Sequence, residues 1–147
     1  MNVFDENGQL IKSYKMLVVW MAGYIVLLIA AVVVLDLLEP YIGVKALVQV
    51  MLHLTNVFLL ALFWMIYRTQ RVYYINYVRY KDAATATEEE RKAFALKHFE
   101  TFSRAALLFL TYGGFSFLLS LPSWLDTLVY CVVLIGAAVK TVPYKLN

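Results

Sequence analysis

The sequence predicts an all-α, polytopic membrane protein. Four transmembrane helices form two hairpins with both termini inside, and helices two and three extend into a cytoplasmic helical hairpin. Three observations predict it. The chain is 63% hydrophobic and only 16% charged over 147 residues, too little polar surface for a water-soluble domain of this size. Four runs, 16–38, 44–67, 105–121 and 123–143, come close to or exceed the roughly 20 apolar residues needed to cross a bilayer core of about 30 Å. If those runs cross, every Lys and Arg except Lys45 falls on one face, and the positive-inside bias makes that face cytoplasmic. The whole of 1–147 is then a single four-helix transmembrane domain, placed in the plasma (inner) membrane.

Residues 1–15 are a short polar start with an Asn7-Gly8 turn signal. The first run follows Lys12 and Lys15 but is too long for a cleavable leader, and no small-x-small pattern follows it, so it reads as a retained anchor. Signals for myristoylation and prenylation are missing from the two ends. Glu39-Pro40 closes the first helix, and Gly43 marks a tight external turn. From Val44 to Asp82 there is neither Gly nor Pro, which predicts that the second helix projects about four turns beyond the membrane. The stretch from Asp82 to Thr87 breaks it. Thr87 with Glu90 fits a capping box, and Glu88, Glu89 and Glu90 suit the positive end of a helix dipole. A helix therefore starts near Glu88 and runs unbroken into the third span. Leu121-Pro122-Ser123 is the second external turn, with Ser123 as N-cap and Asp126 as first-turn anion of the fourth helix. Trp20 and Trp64 belong at the inner interface, Tyr41 and Trp124 at the outer one.

The cytoplasmic hairpin, 68–104, carries Arg68, Arg71, Arg79, Lys81, Arg91, Lys92, Lys97 and Arg104 among tyrosines and phenylalanines. Tyr73, Tyr77 and Tyr80 recur at a helical spacing suited to packing on Phe99 and Phe102 of the returning arm, while Lys97, Thr101 and Arg104 share another stripe. A competing arrangement lays one arm flat in the headgroup region. The residues expected to form a docking surface are Arg71, Tyr74, Tyr77, Arg79, Lys81, Arg91, Lys92, Lys97 and Arg104. Their charge favours anionic lipid headgroups over nucleic acid.

At lipid depth, Gln49, His53 and Asn56 lie at i, i+4 and i+7 on one face of the second helix. His53 is about 13 Å below Val44, near the midplane. Ionisable groups at that depth point inward and mark ion, proton or ligand paths, whereas interhelical hydrogen bonding is the plainer role for all three. Thr111, Tyr112 and Ser116, around Gly113-Gly114 on the third helix, are their natural partners. Asp36, Glu39, Lys45 and Asp126 form an external charged group, read as solvated interfacial charges or as a cation vestibule.

No catalytic residues are assigned. Two histidines and one cysteine at different depths offer no metal or haem ligand set, no cofactor is implied, and an enzyme is the least supported class. Cys131 alone forms no internal disulfide. The leading expectation is a small membrane protein acting by interaction, its hairpin docking a membrane or cytoplasmic protein or further copies of itself. A homo-oligomeric channel or transporter lined by the polar stripe is the alternative, and a lipid or quinone site between helices the third.

Overall fold

A computed structural model describes residue 5 and residues 10–146; the Asn7-Gly8 turn signal lies outside the described residues. The elements are helical: α1 (Lys15–Thr69), α2 (Tyr80–Thr85), α3 (Glu88–Leu118) and α4 (Ser123–Thr141), with a 3₁₀ turn at Val72–Tyr74.

Helix α1 is two arms folded about one residue. Gly43 adopts φ 74, ψ 157, a region open to glycine and closed to most side chains, and Pro40 just before it removes a helical N–H. The chain doubles back there. Tyr24 Oη donates to Thr55 Oγ1 at 3.2 Å, and Phe58 lies 5.9 Å from Trp20 and 5.1 Å from Tyr24, ring to ring. The second arm then packs antiparallel to α3, with His53 against Phe109 at 5.1 Å and Phe63 against Phe102 at 4.6 Å. Helix α4 returns along α3, bringing Tyr130 5.0 Å from Phe109.

The distribution of polarity is the reverse of a water-soluble bundle. Val19, Val26 and Ile29 on the first arm, Val57 on the second, Leu107 and Leu108 on α3, and Val132, Ile135 and Val139 on α4 are all more than half exposed, whereas Gln49, Asn56, Ser116 and Asp126 are buried. Water would penalise that arrangement and hydrocarbon favours it. Helices α1 and α4 are long and apolar enough to cross a membrane.

Beneath this inverted bundle the ordinary pattern resumes. Leu10, Ile66, Val72, Tyr73, Ala83, Phe94 and Ala95 form an apolar core at the base, closed by residues 70–87. The expected projection of the second helix is corrected here. The helix stops at Thr69, Gln70 turns left-handed at φ 56, and the chain folds under the bundle instead of extending from it. The run Val72-Tyr73-Tyr74-Ile75 is β-branched and aromatic, a weak helix former, and tertiary partners decide its path. Tyr73 and Tyr74 hydroxyls donate to Ser13 O, at 3.0 and 2.5 Å, and Tyr80 Oη donates to Leu10 O at 2.5 Å. The tyrosines therefore clamp the N-terminal segment. They do not pack on Phe99 and Phe102, which meet Trp64 and Phe63.

Helix α3 does begin at the capping box. Glu90 N donates to Thr87 Oγ1 at 3.2 Å and Thr87 N donates to Glu90 Oε2 at 2.6 Å, and the helix is continuous to Leu118. Helix α4 has Pro122 rather than Ser123 at its N-cap, with no side-chain cap.

Candidate functional site

The polar groups of the interior fall into three tiers along the bundle. At the turn end, Asp126 in the first turn of α4 is fully buried. Its Oδ1 accepts from Ser116 Oγ at 2.5 Å and Tyr112 Oη at 3.1 Å, and these two donors are spaced i, i+4 on α3, so one face presents both. Oδ2 has no hydrogen-bond partner among the described residues. Lys45, at the start of the second arm, donates to Ser116 O at 2.5 Å and Leu121 O at 2.6 Å. It caps the negative end of α3. A cation, a carboxylate and two hydroxyls thus clasp three segments.

The middle tier holds the predicted stripe. Gln49 and Asn56 are buried and His53 partly so, and Gln49 and His53 face Gly113 of α3. A Cβ at Gly113 would lie 2.9 Å from Gln49 Oε1 and 3.3 Å from His53 Nε2, so glycine is what lets this face approach. Both amide atoms of Gln49 and Asn56 Nδ2 are buried with no partner among the described residues. Phe109, fully buried, fills the axis between His53, Tyr112 and Tyr130. A groove of about 350 Å³ beside Gln49, His53, Gly113 and Gly114 opens sideways past Leu110 and Phe117.

The lowest tier is a cavity of about 670 Å³. Phe63, Phe94, Phe102 and His98 line it, together with the exposed Val139, Val142 and Lys145. His98 Nδ1 is 3.0 Å from Phe94 O, and burial holds the imidazole below its ordinary pKa. Tyr144 stands edge-on to His98 at 5.3 Å and shares a 3.0 Å hydrogen bond with Thr101.

Several expected placements change. Thr111 is exposed and bonds Leu107 O of its own helix, because it lies about 100° round α3 from Tyr112. Tyr112 and Ser116 serve Asp126 rather than the Gln49 stripe. Of the external charges, Asp36 and Glu39 are exposed, but Lys45 and Asp126 are clasp residues. Thr101 leaves the Lys97–Arg104 stripe and is buried.

Two docking candidates are interior. Arg91 reaches Gln70 Oε1 with Nε and Nη2 at 3.2 and 3.1 Å, and Ala83 O with Nη1 at 3.2 Å; Nη1 also donates to Ala86 O. It ties the ends of α1 and α2 to the start of α3. Arg71 is fully buried beside Tyr74 Oη at 3.4 Å. Tyr74 is half-buried, and Lys92 pairs with Glu88 at 2.6 Å, which holds the Glu88 carboxyl below its usual range. The remaining candidates, Tyr77, Arg79, Lys81, Lys97 and Arg104, are exposed. Sequence reasoning passed over His98, Tyr144 and Gln70. Only His98 carried a signal, being one of two histidines in the chain.

Among the described residues no group of three His, Cys, Asp or Glu side chains is placed to hold a metal ion. No family model, curated protein or solved structure matches the chain.

Proposed function

We propose that the chain crosses the plasma membrane four times, with both ends and the base inside, and works by interaction through the exposed rim of that base. Three features support the topology: the apolar outer surface of all four segments, the paired turns at Gly43 and Pro122 on the end opposite the base, and the cations gathered at the base.

The observation that carries the interaction is Tyr77. It is 91% exposed at the tip of the 75–79 loop and sits at φ 72, a conformation that costs a bulky residue about 1 kcal/mol or more. Its neighbours Tyr73, Tyr74 and Tyr80 are all turned inward. Lys81 and Arg79 flank it, Arg79 paired with Asp82 at 3.1 Å, so the rim offers an aromatic anchor beside a net positive edge. This chemistry suits an acidic segment of a partner protein.

A photo-crosslinking amino acid at position 77 tests the proposal in cells. A discrete protein adduct that diminishes about tenfold with Arg79→Gln/Lys81→Gln, set beside no adduct from position 132 on the outer face of α4, is the expected result. Lipid adducts alone at position 77 would contradict it.

The unpartnered amides of Gln49 and Asn56 favour a second reading, transport by an oligomer. Phe109 blocks the axis of one bundle and the Gln49–His53 groove opens sideways, so a route needs another copy to complete it. Proton or cation flux in liposomes that His53→Ala abolishes would support this reading; a strictly monomeric protein in nanodiscs would oppose it.

A further inference from the structure

We infer that the cavity at the base of the bundle is a binding site for an amphipathic molecule with a planar, hydroxyl-bearing ring and an apolar tail, the chemistry of a membrane quinol. The inference does not rest on the docking proposal, although the 75–78 segment lines the cavity; it rests on the tautomer of His98, the walls around it and the exposed residues at its edge.

Phe94 O is a carbonyl oxygen and only accepts, so the 3.0 Å contact requires His98 Nδ1 to carry the proton and donate. In a neutral ring, Nε2 is then a bare lone pair. It makes no hydrogen bond among the described residues, and although the residue is only 3% exposed, Nε2 is not one of the sealed polar atoms of the interior, as fits a ring that lines the cavity. The imidazole's preference for the neutral form in this apolar setting agrees with that tautomer. Reached from the cavity, this lone pair is an acceptor that a ligand O–H can meet. An anionic head would meet the wrong sign at that nitrogen.

The walls select the shape of the head. Phe63 and Phe102 stack at 4.6 Å and Phe94 lies 4.5 Å from His98, giving flat apolar surfaces on which an aromatic ring stacks. The volume of about 670 Å³ falls in the range of small-molecule sites. Among the lining residues Val139 and Val142 are exposed, and they adjoin the exposed apolar face of α4 that includes Ile135 and Val132. A hydrocarbon tail therefore lies on a lipid-facing surface while the ring enters sideways.

The test uses the full chain in nanodiscs, ¹⁵N-labelled at histidine and titrated with decylubiquinol, the oxidised decylubiquinone and the bis-O-methyl ether of the quinol. Saturable binding of the quinol that moves the His98 Nε2 resonance is expected, with the quinone and the ether about tenfold weaker because neither donates a proton. His98→Phe should weaken the quinol to the level of the ether and leave the ether unchanged. Ala138→Trp, which fills the cavity while keeping His98, should abolish binding of all three, with the thermal melt of each variant verifying its fold. Equal affinity for quinol and ether, no shift at Nε2, or binding unaffected by Ala138→Trp would overturn the inference. So would a phospholipid that stays bound in the cavity and that quinol does not displace.

Discussion

Gly113 and Gly114 are neighbours in sequence and opposites in consequence. Alanine at 113 puts its methyl 2.9 Å from Gln49 Oε1 in a face already buried, while at 114 nothing lies within 4 Å. Gly113→Ala should therefore lose about 1–3 kcal/mol to overpacking, and Gly114→Ala should gain about 0.5–1 kcal/mol of helix propensity. Paired thermal melts in detergent check the contrast. The clasp makes a second claim at this scale. Lys45→Met keeps the aliphatic stem but removes the ammonium from Leu121 O and leaves Ser116 O with the Leu121 N–H alone, at a cost of about 2 kcal/mol, read as faster amide exchange over the last turn of α3. The stripe of Gln49, His53 and Asn56 was legible because helical spacing alone puts three polar groups on one face. The destination of Asp126 was not. Its partners come from another helix across a turn, and a first-turn carboxylate looks the same from the sequence whether it faces water or two hydroxyls.

At the scale of elements, α3 was read well because its start depends on local chemistry. The Thr87–Glu90 capping box is made by residues three apart, and the Thr87 N–H holds the Glu90 carboxyl below its ordinary pKa. Thr87→Ala should destabilise the protein by about 1 kcal/mol, measured by chemical denaturation with the fold of the base followed by tyrosine fluorescence. The end of α1 was misread for the converse reason. No Gly or Pro marks it, and the helix stops at Thr69 because Val72 and Tyr73 enter the base core and tyrosine hydroxyls capture carbonyls of the 10–13 segment. Such contacts span some 60 residues, as Tyr73 to Ser13 does, and no local pattern announces them. The same folding-under removed Arg71 and Arg91 from the surface where their charge had placed them.

For the whole molecule the decisive property is inversion: polar groups within the bundle, valines and leucines outside, and a conventional apolar core at the base. Composition made the membrane character legible as far as two helices long and apolar enough to cross a membrane, and the side on which the base lies belongs to the proposed topology. Because the base core is of the water-soluble kind, it carries a pH signature. His98 is buried there with its pKa depressed, so between its folded value and the ordinary 6.5 the unfolded chain binds a proton that the folded one refuses. This contribution to stability is complete above pH 6.5 and is lost as pH falls towards the folded pKa. Melts from pH 7.5 to 5 should show a decline in wild type that flattens in His98→Phe.

The four-crossing topology with an internal base is tested most directly by cysteine accessibility. In a Cys131→Ser background, single cysteines at Tyr41, Ser120 and Tyr77 are exposed in intact cells to a membrane-impermeant maleimide. Positions 41 and 120 should label from outside, and position 77 only after the membrane is permeabilised. Labelling of 41 and 120 from opposite sides, or of 77 in intact cells, would contradict the account.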